Sequence, residues 1–318
     1  MKKQINMTDS RDDLDRFASR KELEALLEGF DGIELMHLED DPRNLIPSEL
    51  VVGYHMSFPE YWMDFWRGDR KRYTAEYDTL EKAAANYGGT GPEALIRRLR
   101  REYENARRCR AEYMVLHVSD AGAFEEITGR YHYTDREVIR ELCDLVGEAL
   151  PDDPEGPVLL LENLWQPGLT FTDPEMTGLL MDGIRYPGKG IMLDTGHLLH
   201  TNPELQSQEE GVAYIHQQLD KHGSLCRFIR GVHLHQSLTG NIMQQYAKSP
   251  PQPLPTWEER MGQLFDYVFQ VDLHRPFTAD GVKELVERIA PEYLTFEFIT
   301  RNLPEHRRFL EQQKRVLE

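Results

Sequence analysis

A short apolar run ends in a carboxylate and an imidazole in the stretch Gly190-Ile191-Met192-Leu193-Asp194-Thr195-Gly196-His197. The apolar residues before Asp194 predict a buried strand, because strands of a parallel sheet read as nearly continuous hydrophobic runs. Burying the polar groups of Asp194 and His197 there is costly unless both are paired or bind a metal ion. The stretch therefore predicts a metal site at the end of a strand.

Five other apolar or β-rich runs also end in a histidine or a carboxylate. They are Val51–His55, Tyr113–His117, Val158–Glu162, Phe228–His233 and Tyr293–Glu297. The shorter gaps between these ends fit one βα unit of roughly 30 residues, and the longer gaps need an inserted segment or a skipped strand. A closed parallel barrel brings such distant strand ends together on one rim. We therefore predict an α/β fold, a (β/α)8 TIM barrel with insertions after strands 3 and 7.

The rest of the sequence supplies the other elements of such a barrel. Further strands are expected over residues 4–8 and 33–38, and helices over 12–30, 92–112, 135–150, 209–222, 278–289 and 304–317. An aromatic cluster at 59–69 and a proline-rich loop at 249–255 mark the two insertions. No low-complexity linker divides the chain, and one barrel occupies about 250 residues or more. We expect residues 1–318 to form a single domain.

The composition favours a cytoplasmic protein that acts on a small molecule. The 37 basic and 55 acidic residues give a net charge of −18, which opposes attraction to a polyphosphate backbone unless a local basic groove or bound cations reverse the sign. The three cysteines show no Cys-x-x-Cys spacing and are expected to be reduced thiols. The polar N-terminus and the lack of a long apolar window predict neither export nor membrane insertion.

The potential ligands are histidines and carboxylates, without thiolates. This set suits zinc, manganese and similar divalent ions, and it favours a catalytic over a structural zinc site. Two pairs, Asp194 with His197 and Asp272 with His274, are spaced closely enough to clasp an ion. Neither pair is specific alone, because carboxylates and histidines often occur this close by chance.

With these strand ends, the sequence resembles the xylose-isomerase-like TIM barrels, which include endonuclease IV and the sugar epimerases related to tagatose epimerase. The resemblance covers nearly the whole chain and is most specific over residues 160–235. It implies, for an epimerase, one metal held by Glu162, Asp194, His233 and Glu297. For an endonuclease IV-like enzyme it implies up to three ions, zinc in the first place and manganese as an alternative. The added ligands are His55 and His117, which share an ion with Glu162, and His197, Asp272 and His274, which hold a third.

Two loops depart from the endonuclease pattern. After the histidine of strand 7 this chain has His235-Gln236 where the endonuclease has Asn-Asp, and Arg275-Pro276-Phe277 replaces a glycine-rich stretch. These loops and the two insertions occupy the places where the endonuclease grips bent DNA. A nucleic-acid substrate is therefore not favoured, even if the metal ligands are all present.

Three functions remain open from the sequence. The first is hydrolysis of a phosphoester on a small phosphorylated substrate, because close divalent ions lower the pKa of water and neutralise charge. The second is a sugar or sugar-phosphate isomerase or epimerase, in which Glu162 and Glu297 exchange a proton as acid and base. The third is a metal-binding barrel without catalytic activity.

Five more residues are candidates for substrate contact. Glu34 is placed to point into the barrel, and His235 shares a strand face with His233 as a ligand-supporting or substrate-binding residue. The aromatic side chains can stack on a substrate, close a lid or simply pack. The full set is Glu34, Trp62, Trp66, Trp165 and His235.

Overall fold

Eight parallel strands form a closed barrel in the computed structural model, which describes residues 1–318. The strands are β1 Lys2–Thr8, β2 Gly32–Met36, β3 Val51–His55, β4 Tyr113–His117, β5 Val158–Glu162, β6 Lys189–Asp194, β7 Ile229–Leu234 and β8 Tyr293–Phe296. They are paired in sequence order, and β1 also pairs with β8, which closes the barrel. The predicted (β/α)8 fold is confirmed.

Helices surround the barrel and fill the longer connections. They are α1 Arg11–Leu14, α2 Arg20–Leu26, α3 Met63–Trp66, α4 Arg70–Tyr77, α5 Leu80–Tyr87, α6 Glu93–Arg108, α7 Ala123–Thr128, α8 Asp135–Ala149, α9 Pro174–Gly183, α10 Thr195–His200, α11 Gln208–His222, α12 Gly240–Lys248, α13 Trp257–Val271, α14 Val282–Ile289 and α15 Leu303–Val316. Two 3₁₀ helices span Ser48–Leu50 and Gly223–Phe228. None of these helices is long and apolar enough to cross a membrane.

The prediction of one helix over residues 12–30 was wrong. Two short helices, α1 and α2, occupy this region instead. Between them Ser19 has an extended backbone, with φ −160° and ψ 161°, and the carboxylate of Glu22 accepts a hydrogen bond from the backbone N–H of Ala18 at 2.9 Å. The extended backbone at Ser19 and the contact of Glu22 with Ala18 start a new helix here, and the apolar spacing alone did not show this break.

Inserted helices lie on the carboxyl side of β3 and of β7. Helices α3, α4 and α5 follow β3, and α12 and α13 follow β7. The two groups meet at Asp78, whose carboxylate accepts from the backbone N–H of Trp257 at 2.7 Å and from Arg260 at 2.8 Å. Because α13 is fixed in this way, it is held across the face of the barrel on which β3 and β7 end.

The floor of the barrel contains a buried polar cluster. Tyr113 donates a hydrogen bond to Glu34 at 2.5 Å, and Thr295 donates to the same carboxylate at 3.0 Å. Gln4 contacts the Tyr113 hydroxyl at 2.7 Å. Buried polar groups need such partners, and this cluster fixes Glu34 from below. The other neighbour of Glu34 is His233 of β7.

We predict that Gly168→Ala destabilises the fold. Gly168 has φ +143°, and an added Cβ would lie 1.9 Å from the carbonyl oxygen of Val118. This backbone contact joins the loops that follow β4 and β5 through a bridge between Ser119 and Gly168. A side chain there meets both backbone strain and a clash, so the free energy of unfolding should fall by about 2–3 kcal/mol.

The matched control for this measurement is Gly178→Ala. Gly178 lies within α9, and an added Cβ would have no atom within 4 Å. Alanine in a helix is favoured over glycine by roughly 0.5–1 kcal/mol. Urea unfolding of both variants tests the prediction, and equal stability of the two would contradict it.

Candidate metal centre

All nine predicted metal ligands lie together on the rim formed by the carboxyl ends of the strands. His55, His117, Glu162 and Asp194 are the last residues of β3, β4, β5 and β6. The register places His117 beside Glu162 and Asp194 beside His233 on neighbouring strands. Their side chains form three groups, in each of which the possible ligand atoms lie within 4.8 Å of one another.

Glu162 belongs to two of these groups. One of its carboxylate oxygens, Oε2, lies 3.2 Å from Nε2 of His55 and 3.4 Å from Nε2 of His117. The other, Oε1, lies 3.1 Å from Nδ1 of His233. Because the two oxygens face different groups, this one carboxylate can serve two ions at once.

The second group contains Glu162, Asp194, His233 and Glu297. Nδ1 of His233 lies 3.1 Å from Glu297 and 3.6 Å from Asp194. Its Nε2 lies 2.9 Å from Glu34, which therefore orients the ring from below. Outer contacts of this kind fix the orientation of a ligand. Glu34, expected as a substrate contact, is therefore placed in the structure as a buried partner of His233.

The third group contains the remaining predicted ligands and one residue that was predicted only as a substrate contact or supporting residue. Its members are His197, His235, Asp272 and His274. Asp272 lies 3.4 Å from Nε2 of His197 and 2.8 Å from Nε2 of His274. The ring of His235 stacks on that of His274 with centroids 3.8 Å apart.

Opposite charges balance one another across the centre. Burial disfavours a charged imidazole, but the carboxylates of Glu60 and Glu162 outweigh it and raise the pKa of His117 to about 10. Burial alone would raise the pKa of Glu162, but His233 and His117 outweigh it and hold that pKa well below its ordinary value. A divalent cation would take over the neutralisation that protonated imidazoles otherwise provide.

The residues present fit divalent metal ions. Imidazole nitrogens and carboxylate oxygens are the donors that zinc and manganese accept. Several of these buried donors lack any hydrogen-bond partner, which is rare in folded proteins. The atoms are Nδ1 of His55, His235 and His274, and Oε2 of Glu297. Each of the three ligand groups thus contains a buried nitrogen or oxygen without a hydrogen-bond partner, and a metal ion would satisfy these atoms.

Residues outside the groups hold the ligands in place. Glu60 lies 2.8 Å from Nδ1 of His117. Asn163 accepts from the backbone N–H of Asp194 at 2.8 Å and donates to its carbonyl at 3.0 Å. Glu60 and Asn163 were not identified from the sequence, although Asn163 directly follows Glu162. A carboxylate on the outer nitrogen of a ligand histidine fixes its tautomer and orientation.

A cavity of ≈ 180 Å³ adjoins the first and third groups. Its lining includes His117, His197, Trp165 and two residues of α13, Leu264 and Val268. Trp165 packs against the ring of His197 at 5.2 Å between centroids. Of the predicted substrate contacts, Trp165 is the one that lines this cavity.

Glu126 is a further residue of the cavity that sequence reasoning missed. It lies on α7, away from every strand end, so no pattern identified it. Its Oε1 accepts from Nε1 of Trp165 at 2.9 Å, and its Oε2 has no partner. Burial raises the pKa of Glu126 to about 7, although Gln166 and Trp165 act in the opposite direction. Near neutral pH this group can donate or accept a hydrogen bond.

The structure does not bring Trp62 or Trp66 to the metal ligands. Trp62 is 1% exposed, and its Nε1 donates to the carbonyl of Ser119 at 2.8 Å. Trp66 donates to Glu141 of α8 at 2.9 Å, on the outer side of the barrel. Both side chains pack the insertion after β3. The expectation that they contact substrate is corrected for these two residues, because their polar atoms are already used within the fold.

Comparison with known proteins identifies the family. The sequence model of the family described as xylose isomerase-like TIM barrel matches residues 23–248, more than half of the chain. The protein therefore belongs to the xylose isomerase-like TIM barrel family, as the resemblance implied. No curated protein matches the sequence significantly.

Solved structures with this fold share little sequence with the chain. One, named AsfvAP:AG, has 13% identity and a TM-score of 0.52, and the match covers 100% of this chain and 99% of that one. A putative xylose isomerase from Rhodospirillum rubrum has 14% identity and a TM-score of 0.50, with 100% and 98% covered. Endonuclease IV from Thermus thermophilus has 15% identity and a TM-score of 0.49, with 100% and 99% covered. Likeness at this level of identity concerns the fold alone.

Proposed function

We propose that this protein is a divalent-metal-dependent hydrolase that cleaves a phosphoester of a small phosphorylated substrate. The observation that carries the proposal is the position of Glu162, whose two oxygens face two different ligand groups. A carboxylate shared in this way suits a pair of ions, whereas a single-metal enzyme needs only one of the groups. Paired divalent ions lower the pKa of water and neutralise the charge that develops at phosphorus.

The protein's own residues hold this arrangement and shape the substrate site. Glu162 fixes the distance between the first two groups, and His55, His117 and His233 would supply imidazole nitrogens as donors to the ions. Glu60 and Glu34 hold the rings of His117 and His233. Because these side chains are fixed before substrate binds, little reorganisation is required during the reaction.

The cavity favours a small substrate over nucleic acid. Helix α13 contributes Leu264 and Val268 to its wall and packs on α7 through a cluster of Ile127, Tyr267 and Val271. The apolar residues of the wall suit the organic part of a small phosphoester, and Glu126 offers one polar contact to it. The net charge of −18 agrees with this choice.

A sugar or sugar-phosphate isomerase or epimerase is the second candidate. Glu162 and Glu297 both lie 3.1 Å from Nδ1 of the same histidine, His233. Two carboxylates on opposite sides of one metal position can act as acid and base on a substrate carbon. The ligands outside this group have no part in that mechanism. A metal-binding barrel without turnover is the third candidate.

A single panel of assays distinguishes the three candidates. Protein loaded with Zn²⁺ or Mn²⁺ is incubated with small phosphomonoesters and phosphodiesters, with duplex DNA containing an abasic site, and with ketoses and sugar phosphates in D₂O. We expect phosphate-ester cleavage of a small substrate and no deuterium incorporation at carbon. Deuterium exchange without ester cleavage would establish the isomerase, and a metal-loaded protein inert on the whole panel would indicate the binding barrel.

We predict that filling the cavity blocks the reaction without removing metal. In Val268→Trp the larger side chain would enter the cavity beside Trp165, so kcat/KM for the small substrate should fall at least tenfold while metal content stays constant. The matched control is Phe269→Trp on the same helix, because Phe269 is 60% exposed and points away from the cavity lining. Steady-state kinetics with elemental analysis checks both variants. Equal activity of the two would exclude this cavity as the substrate site.

A further inference from the structure

We propose that the third ligand group is a closed four-ligand zinc site, in which His235 is a direct ligand together with His197, Asp272 and His274. This inference rests on the metal centre of the proposed function, but not on the reaction that the centre catalyses. A site that supplies four protein ligands leaves no position for water or substrate, as in structural zinc sites. The third ion would therefore hold the protein together, and the reaction would take place at the other two groups.

The side chain of His235 has the properties of a ligand. It is fully buried, with 0% exposed, and one of its ring nitrogens, Nδ1, has no hydrogen-bond partner. Its ligand atom lies within 4.8 Å of those of His197, Asp272 and His274. The rings of His235 and His274 stack with an angle of 8° between their planes. The two rings are therefore in direct contact within this group.

The backbone makes room for His235 through Gly196. A Cβ built on Gly196 would lie 2.1 Å from Cε1 of His235 and 2.3 Å from its Nδ1. Any side chain at residue 196 would therefore occupy the space of the imidazole. The sequence Asp194-Thr195-Gly196-His197 thus contributes to this group in two ways. His197 is one of its ligands, and the lack of a side chain at Gly196 leaves room for His235.

The ligands come from three separate segments, which the ion would tie together. His197 lies on α10, His235 follows β7, and Asp272 and His274 follow α13. The last segment is already pinned, because Gln236 and Arg275 exchange backbone hydrogen bonds of 2.8 and 3.0 Å. His274 has a left-handed backbone with φ +45°, which is unfavourable for a residue with a side chain. Strained conformations of this kind cluster at functional sites. The ion would stabilise this strained turn at the base of α13.

A supporting role for His235 is the alternative explanation. Its Nε2 lies 2.8 Å from Oδ2 of Asp194, a member of the second group. If His235 only orients Asp194, its removal should weaken the ion in the second group, by roughly 10–100-fold as for other outer contacts. If His235 is a ligand of the third group, its removal should weaken the ion there. The two explanations therefore differ in the position that loses zinc.

The experiment locates zinc in the full-length protein by anomalous diffraction at the zinc edge, after equilibration with a weak chelator. The wild type should hold zinc at three positions, and His235→Ala should lose it at the position between His197, Asp272 and His274 alone. Gly196→Ala should show the same loss, because its Cβ displaces the imidazole. Gly178→Ala is the control, because a Cβ added there has no atom within 4 Å, and this variant should keep all three ions.

A measurement in solution repeats the test without crystals. The variant Asp272→Ala/His274→Ala should hold two zinc ions, and adding His235→Ala should leave that number unchanged. Hydrogen exchange at residues 272–275 should be faster in His235→Ala than in the wild type, because the turn is no longer clamped.

Four outcomes would overturn the inference. They are zinc loss from the second group in His235→Ala, full zinc retention in that variant, a further ion lost when His235→Ala is added to the double variant, and a wild type with zinc at the first two groups only. A wild type that binds no zinc or manganese at all would instead contradict the proposed function itself.

Discussion

Glu162→Gln is expected to abolish turnover while leaving the fold intact. The substitution keeps the size of the side chain but replaces the charged carboxylate that faces both the His55–His117 pair and His233. The first two ligand groups therefore lose the negative charge that they share, and one of them loses its oxygen donor because the amide nitrogen of glutamine is a poor ligand. Loss of metal-based stabilisation is worth several kcal/mol, so the rate should fall by roughly a thousandfold or more. Bound metal should fall by one to two equivalents, with the third group retained.

A second carboxylate provides the control for this prediction. Glu60 contacts His117 from outside the ligand set, at 2.8 Å, so Glu60→Gln should weaken metal binding by roughly 10–100-fold and leave turnover measurable at saturating metal. Circular dichroism and urea unfolding establish that both variants fold. Turnover near the wild-type rate in purified Glu162→Gln would refute the hydrolase and the isomerase together.

The double variant Asp272→Ala/His274→Ala separates the two enzyme hypotheses. In the three-ion arrangement these residues hold an ion with His197 and His235, so the variant should lose about one equivalent of metal. Its rate should also fall, because the segment after α13, which contributes Asp272 to the cavity lining, is no longer held in place.

The isomerase mechanism predicts a different result for the same variant. It uses one ion, held by Glu162, Asp194, His233 and Glu297, so metal content should not change and the effect should be mainly on substrate affinity. Elemental analysis of the wild type and the variant, together with kcat and KM, distinguishes the two results. If the wild type binds one ion per chain and the double variant binds the same amount, the result favours the isomerase.

Much of the fold could be predicted because the strands of a parallel barrel carry their own signal. Each is a short apolar run, and the change from apolar residues to His55 or Glu162 marks where it ends. The helices around the barrel were less certain, since α1 and α2 read as one amphipathic segment. Ser19 interrupts that segment through its backbone conformation, which the spacing of apolar residues does not reveal.

The site residues that directly end a strand were the easiest to predict from the sequence. Residues such as Asp194 end a buried strand, and burial of a carboxylate requires a partner. Asp272 and His274 follow the helix α13. Their close spacing marked them as a possible ligand pair, but only the family resemblance assigned them to a third ion. The position of His235 within the third group depends on the space at Gly196, which is a property of the folded chain.

The parts of the cavity wall that come from α7 and α13 could not be predicted. Glu126 lies on a helix, and the contact between α7 and α13 joins segments far apart in sequence. The aromatic residues of the first insertion gave a misleading signal, because Trp62 and Trp66 use their indole N–H groups within the fold. Amphipathic aromatic side chains serve packing and binding equally well, so their role follows from tertiary contacts alone.

The number of metal ions per chain tests the central claim most directly. The claim is that Glu162 joins two ligand groups of a centre that also contains a third. Elemental analysis of wild-type protein, purified without chelator and equilibrated with Zn²⁺ before removal of unbound metal, should give three equivalents per chain. A value of one equivalent, or none, would contradict it.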